Sequence, residues 1–311
     1  MPTATPEASS GSAPGVWRPL PLTRVETPEG LRRRCERRRA SGLSLGLVPT
    51  MGALHAGHRA LIRRSLAEND RTVVSIFVNP AQFGPGEDLD RYPRTLDSDL
   101  ALCAGLGVDL VYLPGVADIY PTGFATRVRV VGPLTETLEG AHRPGHLEGV
   151  ATIVTKLLAT ARPDRAYFGH KDAQQCAVVR RLAADLDTGT EIVVCPTVRD
   201  SDGLALSSRN VRLDAGTRLQ ALAIPAALAA ADAAHAAGER DPERLRRIMR
   251  LRLARSPDLT VDYAEIVDAT TFEPATAECV RFEFLIAGRL SDTRLIDSLT
   301  PGEDDRPLVA G

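Results

Sequence analysis

Five short apolar runs punctuate the first two thirds of the chain: LSLGLV (43–48), TVVSIFV (72–78), DLVYL (109–113), RAYF (165–168) and TEIVVCP (190–196). Stretches of helical length and pattern lie between them, at 27–42, about 58–69, about 95–106, 147–161 and 172–186. A strand that is apolar at nearly every position must be covered on both faces, and a strand–helix–strand connection returns the chain parallel to its start. The alternation predicts an α/β fold, a doubly wound, Rossmann-like parallel sheet with helices on both sides. From residue 198 the texture changes to a charged loop, an Ala-rich helical stretch (214–238), a helix at 242–256 and three alternating strands near 259–267, 280–287 and 293–297. A smaller α+β C-terminal domain is expected there. The division is thus 1–17, a Pro/Ser/Ala-rich leader read as disordered; 18–197, the Rossmann-like domain; 198–302, the small domain; and 303–311, a tail.

Composition narrows the function classes. The chain has 311 residues, 43% of them hydrophobic, and a formal net charge of −2, without the basic excess that gripping a nucleic-acid backbone requires. No run of eighteen apolar residues predicts a membrane span. The five cysteines, Cys35, Cys103, Cys176, Cys195 and Cys279, include no C-x-x-C pair, so neither a disulfide framework nor a thiolate metal site is suggested, and a cytoplasmic location fits. The arginine run in LRRRCERRRA (31–40) reads as a solvated helix face.

Three stretches carry chemistry. In LVPTMGALHAGHRALIRRSL (47–66) a strand gives way to a Gly-rich turn and then to a helix, with His55 and His58 at the helix mouth. Ligands of doubly wound sheets sit beyond the carboxyl ends of the strands, where free helix N–H groups attract phosphate. Gly52 and Gly57 would let backbone approach such a ligand, and neither G-x-G-x-x-G nor a P-loop occurs. In FGHKDAQQ (168–175) Lys171 sits near a helix N-terminus, where the helix dipole does not favour it and a bound anion would. In VRDSDGLALSSRN (198–210) Ser207, Ser208 and Arg209 supply hydroxyls and a guanidinium, groups that clasp polyphosphate. Singly, each has a plainer reading: turn histidines, a capping Lys/Asp pair, a polar linker.

Taken in order with FVNPAQF (77–83), YPRTL (92–96) and RPGHLEGVATIVTKL (143–157), these blocks resemble the pantoate–β-alanine ligase family over roughly residues 25–300. The first block also resembles the wider nucleotidyltransferase superfamily. The resemblance implies ATP-dependent joining of pantoate to β-alanine through a pantoyl adenylate, with AMP and pyrophosphate released. It implies a catalytic set of His55, His58, Lys171, Ser207 and Arg209. ATP would be bound by Met51, Gly52, Ala53, Leu54, His55, Ala56, Gly57 and His58, by Gly169, His170, Lys171 and Asp172, and by Val198, Leu206, Ser207, Ser208 and Arg209. Pantoate and β-alanine would be bound by Gln82 and Gln175, amides that hold oxygens without neutralising a nucleophile. Pro49, Thr50, Asn79, Tyr92, Arg143 and His146 fall in matching blocks as second-rank candidates, the last two without an assigned role. Mg²⁺ would bridge phosphate oxygens without a protein cage. The family pattern further implies a homodimer, no nucleic-acid or membrane partner, and a C-terminal lid. His170 stands where the family commonly has Glu or Gln, so either an imidazole flanks the polyphosphate or the ring faces solvent. Other readings stay open: a superfamily enzyme acting on a phosphorylated acceptor or a tRNA, and a non-catalytic nucleotide-binding protein.

Overall fold

The computed structural model of the chain describes residues 22–303 and 308–309; the expected leader lies outside them, as does most of the expected tail. Six parallel strands form the main sheet: β1 (Thr23–Val25), β2 (Leu45–Thr50), β3 (Arg71–Ile76), β4 (Leu110–Tyr112), β5 (Arg165–Gly169) and β6 (Glu191–Cys195). Their spatial order is β1-β4-β3-β2-β5-β6. β1 has no counterpart in the sequence reading because three residues carry too little periodicity to register. The chain fills one side of β2 with β3 and β4 and then crosses to β5 and β6, so the β2/β5 boundary is the topological switch point.

The helices of this part are α1 (Pro28–Ala40), α2 (Ala56–Glu68), α3 (Leu96–Leu106), the short α4 (Val116–Ile119), α5 (Pro133–Glu136) and α6 (Glu139–His142), then α7 (His146–Ala161) and α8 (Ala173–Asp185). Successive strand residues point to opposite faces. Leu45, Leu47, Val73, Leu110 and Phe168 join α1, α7 and α8 in one core, while Val48, Val74, Val111, Tyr167 and Val193 join α2 and α3 in another. Arg39, from the run read as solvated, donates to the carbonyls of Ala161 and Arg162 at 3.1 and 2.7 Å and so caps the end of α7.

The remainder holds β7 (Val198–Arg199), α9 (Ala215–Ala221), α10 (Ala223–Ala236), α11 (Pro242–Leu253), β8 (Thr260–Asp268), β9 (Phe282–Leu290), β10 (Thr293–Leu299) and β11 (Leu308–Val309). The last three long strands form an antiparallel sheet in the order β10-β9-β8. β11 pairs parallel with β7, so part of the expected tail is a strand. The Ala-rich stretch divides at Leu222, since Pro225 cannot donate to Ala221 and its ring crowds that carbonyl. By length and hydropathy Ala215–Ala236 would suffice for a membrane span. Its Ala221, Ile224, Leu228 and Ala231 instead enter a core with Leu245, Met249, Phe284 and Ile286. A smaller cluster, Leu138, Ala173, Val267, Phe272 and Leu285, joins this part to α8 and the start of α6.

Candidate active site

A cavity of about 540 Å³ opens beyond the carboxyl ends of β2 and β5. Pro49, Thr50, Met51, His55, Gly57 and His58 line it from the β2 side, and Gly169, Lys171, Asp172 and Gln175 from the β5 side. Gln82, Val198, Leu206, Ser207, Ser208 and Arg209 complete the wall, with Arg289, Arg294 and Asp297 from β9 and β10. Its size suits a small ligand.

The histidine turn is built by backbone hydrogen bonds. His55 is the N-cap of α2, its Nδ1 accepting from the Gly57 N–H at 3.1 Å, and His58 Nδ1 accepts from the His55 N–H at 3.3 Å. A Cβ at Gly57 would lie 2.9 Å from the His55 ring, so only glycine lets the imidazole fold back onto its own helix. With both Nδ1 atoms acceptors, each neutral ring carries its proton on Nε2. Burial first, and the Lys171 ammonium second, push His55 down to about 4; burial, His55 and Lys171 hold His58 well below the usual imidazole value. The pair thus presents two neutral N–H donors near pH 7.

Gly52, Ala53, Leu54 and Ala56, expected to cradle the nucleotide, do not line the cavity. The Ala53 and Leu54 amides, which sequence reasoning would give to phosphate, donate to the buried Asp99 carboxylate at 2.9 and 2.8 Å. Asp99 was not anticipated; as an acidic residue in the first turn of α3 it reads from sequence as an ordinary dipole partner.

The serine–arginine turn is built by charge. Arg209 grips Asp88 with two bonds of 2.8 and 2.9 Å, and Arg212 adds a third at 2.9 Å. Burial alone would raise the Asp88 carboxyl; the guanidiniums overcome it and hold it at about 2. Ser207 Oγ accepts from the Arg209 N–H, and Ser208 donates to Tyr92 Oη at 3.0 Å, with the Arg209 guanidinium over the Tyr92 ring. Lys171 lies 3.7 Å from the Asp172 carboxylate.

On the opposite wall the turn Pro80–Gln82 presents Gln82. Its Nε2 meets Met51 Sδ at 3.1 Å, and its Oε1 accepts from Asn79 Nδ2. Asn79 is 1% exposed; its amide also donates to Gly149 O and accepts from Tyr120 Oη and the Ala81 N–H, so it is a brace. Helix α7 reaches this turn only because residue 149 is glycine: a Cβ there would sit 2.1 Å from Ala81 O. Arg143 and His146 acquire a role as braces too. His146 Nδ1 donates to Gln82 O at 2.8 Å, while its Nε2 accepts from Arg143, whose guanidinium forks onto Glu87 at 2.8 and 2.6 Å. Burial and then the Arg143 charge push His146 down to about 4, so it too is neutral.

His170 is a correction on both expected readings. Its ring faces neither the cavity nor solvent: Nε2 lies 3.1 Å from Glu283 and 3.2 Å from Thr300 Oγ1, and the side chain is 14% exposed. One residue before Lys171 in a tight turn, it projects toward the antiparallel sheet. Arg294 joins the same two regions, forking onto Glu139 at 2.8 and 2.7 Å, and within the second region Arg199 forks onto Asp297 at 2.6 and 3.1 Å.

A histidine pair at a helix mouth, at the switch point of a doubly wound sheet and facing a lysine and a serine–arginine turn, defines a site of the nucleotidyltransferase class. The chain belongs to the pantoate-beta-alanine ligase family, whose model matches residues 23–300. It is 54% identical over 86% of its length to a bifunctional pantoate ligase/cytidylate kinase of Thermosynechococcus vestitus, and spans 52% of that relative. The crystal structure of pantothenate synthetase from Thermus thermophilus superposes with a TM-score of 0.85 at 47% identity, covering 89% of this chain and 98% of that one. Pantoate-beta-alanine ligase from Francisella tularensis, complexed with beta-gamma ATP and beta-alanine, superposes at 0.72 with 32% identity over 89% of this chain and 97% of that one.

Proposed function

We propose that the chain condenses (R)-pantoate with β-alanine at the expense of ATP, through pantoyl adenylate, releasing AMP and pyrophosphate. The observation that carries this reading is the pair of imidazoles at the mouth of α2, each accepting a backbone N–H on Nδ1, in one cavity with Lys171, Ser207, Arg209, Gln82 and Gln175. A carboxylate is a poor acyl donor; attack on the α-phosphorus of ATP converts its oxygen into part of a good leaving group. Charge then builds on the phosphate oxygens, and catalysis is positioning plus electrostatic stabilisation. His55 and His58 meet that charge with Nε2–H, each worth about 3–4 kcal/mol by analogy with oxyanion-hole donors. Neutral rings act here as hydrogen-bond donors, and adenylation needs no acid. Lys171 and the Ser207–Arg209 turn hold the outer phosphates, and Gln82 and Gln175 orient pantoate without neutralising its carboxylate.

The finer assignments belong to the same proposal. Mg²⁺ travels on the phosphates as a hard cation that keeps several waters. The regions 18–197 and 198–302 act as separate domains, the second closing as a lid that keeps water from the labile adenylate. The separate apolar core of the second supports this. The enzyme works as a cytoplasmic homodimer on small molecules, and its five unpaired thiols suit a reducing compartment.

The test incubates the protein with Mg·ATP and D-pantoate, with and without β-alanine, and follows AMP, pyrophosphate and pantothenate by mass spectrometry. Pantothenate and AMP formed together only with β-alanine, and lost in His58→Ala, support the ligase. Nucleotide binding without product overturns it.

A further inference from the structure

We propose that Asp99 is a positioning residue for adenylation: a resident anion that occupies the turn before α2, so that the phosphate meets His55 and His58 and not the backbone of the turn. This rests on the activity proposed above, and it assigns work to a residue outside the cavity wall.

Asp99 is 2% exposed, and its carboxylate is spanned by three donors: the Ala53 N–H on Oδ2, and the Leu54 N–H and Thr95 hydroxyl on Oδ1 at 2.8 and 3.2 Å. Gly52 and Ala53 both have positive φ, 86° and 51°, and Ala53 is held where L-residues seldom go. Strained backbone of this kind persists when its surroundings over-determine it. Consecutive N–H groups aimed at one point make a small anion site. In glycine-rich phosphate loops the ligand fills such a site; here a side chain of the protein does. The fit is close: a Cβ on Gly52 would lie 3.2 Å from Asp99 Oδ2 and 3.1 Å from Ile76.

The clamped amides immediately precede the two that aim the imidazoles. Leu54 is followed by His55, whose N–H holds His58 Nδ1, and the Gly57 N–H holds His55 Nδ1. A turn released at residues 53 and 54 therefore releases both rings, and a freed nest of N–H groups competes with them for phosphate. Asparagine keeps the shape of Asp99 but presents an NH₂ where an acceptor is required, leaving one backbone N–H facing another donor.

Asp99→Asn is the decisive variant. Nitrogen NMR of the histidine rings is expected to give the Nε2–H tautomer for His55 and His58 in the parent, and a tautomer mixture in the variant. His146, whose Nδ1 donates to Gln82 O, is expected to keep the opposite tautomer in both and serves as the internal control. Pantoate-dependent ATP–pyrophosphate exchange should fall about 100-fold in kcat while the ATP KM moves less than about threefold, the mark of misplacement. Formate added to Asp99→Ala should restore part of the rate by filling the nest. Unchanged histidine signals with exchange within about threefold of the parent overturn the assignment. If Asp99→Asn does not fold, Thr95→Val, which removes one donor, must still perturb the His55 and His58 signals, and unchanged signals there overturn it as well. A parent protein without exchange activity defeats the ligase reading, while the tautomer comparison still decides the role of Asp99.

Discussion

Two turns face the same cavity and are rigidified by opposite means. The turn before α2 is held by backbone N–H groups on ring nitrogens and on Asp99, so its two histidines enter the site neutral, with one donor each. The turn after Leu206 is held by charge: Asp88 occupies the fork of Arg209 and one arm of Arg212. A phosphate approaching the first turn finds its donors already aimed. One approaching the second must share or displace a carboxylate. On the proposed function the difference separates two tasks, since donors that stabilise a transition state gain from fixed geometry, while groups that bind a substrate can be tuned by a competing anion.

The comparison is broken most severely at the first turn. His58→Ala removes a donor and the acceptor for the His55 N–H, and pantoate-dependent exchange should lose roughly 10²–10³ in kcat. A loss below tenfold would mean that the helix mouth does not face the reacting phosphate. On the pantoate side, Gly149→Ala drives a Cβ into Ala81 O and displaces the Gln82 turn. The KM for pantoate should rise roughly tenfold with that for ATP little changed, since small displacements of a positioning group are costly. An equal rise in both constants would show a general loosening.

Asp88→Asn sharpens the contrast from the other side. Freed of a carboxylate, Arg209 and Arg212 should bind nucleotide about three- to fivefold more tightly by calorimetry, while the lost charged hydrogen bonds destabilise the fold by about 1.5–3 kcal/mol. Weaker nucleotide binding would show that Asp88 aims the arginine and does not compete for it.

Protons test the neutral histidines. His55, His58 and His146 are depressed in the folded chain, so the unfolded chain binds more protons between its ordinary imidazole value near 6.5 and the folded values. Stability is therefore full above about pH 6.5 and falls as pH drops toward about 4. Below that, protonation of Asp88 and Glu139, both held at about 2, continues the loss. Urea midpoints at pH 7 and 5 check the sign, and His146→Gln should flatten the slope; equal midpoints in the parent would contradict the neutral assignment. The smallest effect belongs to His170→Gln, which should leave the ATP KM within about twofold across pH 5.5–8, because the ring faces Glu283 and Thr300. A pH-dependent KM lost in that variant would return His170 to the polyphosphate.

Much of this was legible in the chain. Apolar runs with helical spacers gave the parallel sheet, because a strand covered on both faces has few other solutions. The clustering of His55, His58, Lys171, Gln82, Gln175 and Ser207 followed from six ordered blocks. The positions whose contacts are tertiary are instructive. Asn79, Arg143 and His146, second-rank candidates from those blocks, line the cavity and also brace the Gln82 turn. Ala53 and Leu54 give their amides to Asp99. Nothing local distinguishes a residue that touches a ligand from one that holds its neighbour.

By itself the sequence determined the strand and helix alternation, the helix mouth with its two histidines, and the glycine at 57 that lets the turn fold back. Those are local or periodic properties, set by backbone sterics and by which faces must leave water. Only the tertiary structure decided who holds what: Asp99 on the amides of Ala53 and Leu54, Asp88 on Arg209, Glu283 against His170. Each of these joins residues about 45 to 120 positions apart, and a carboxylate carries no mark of its distant partner until the sheet brings the two within hydrogen-bonding reach.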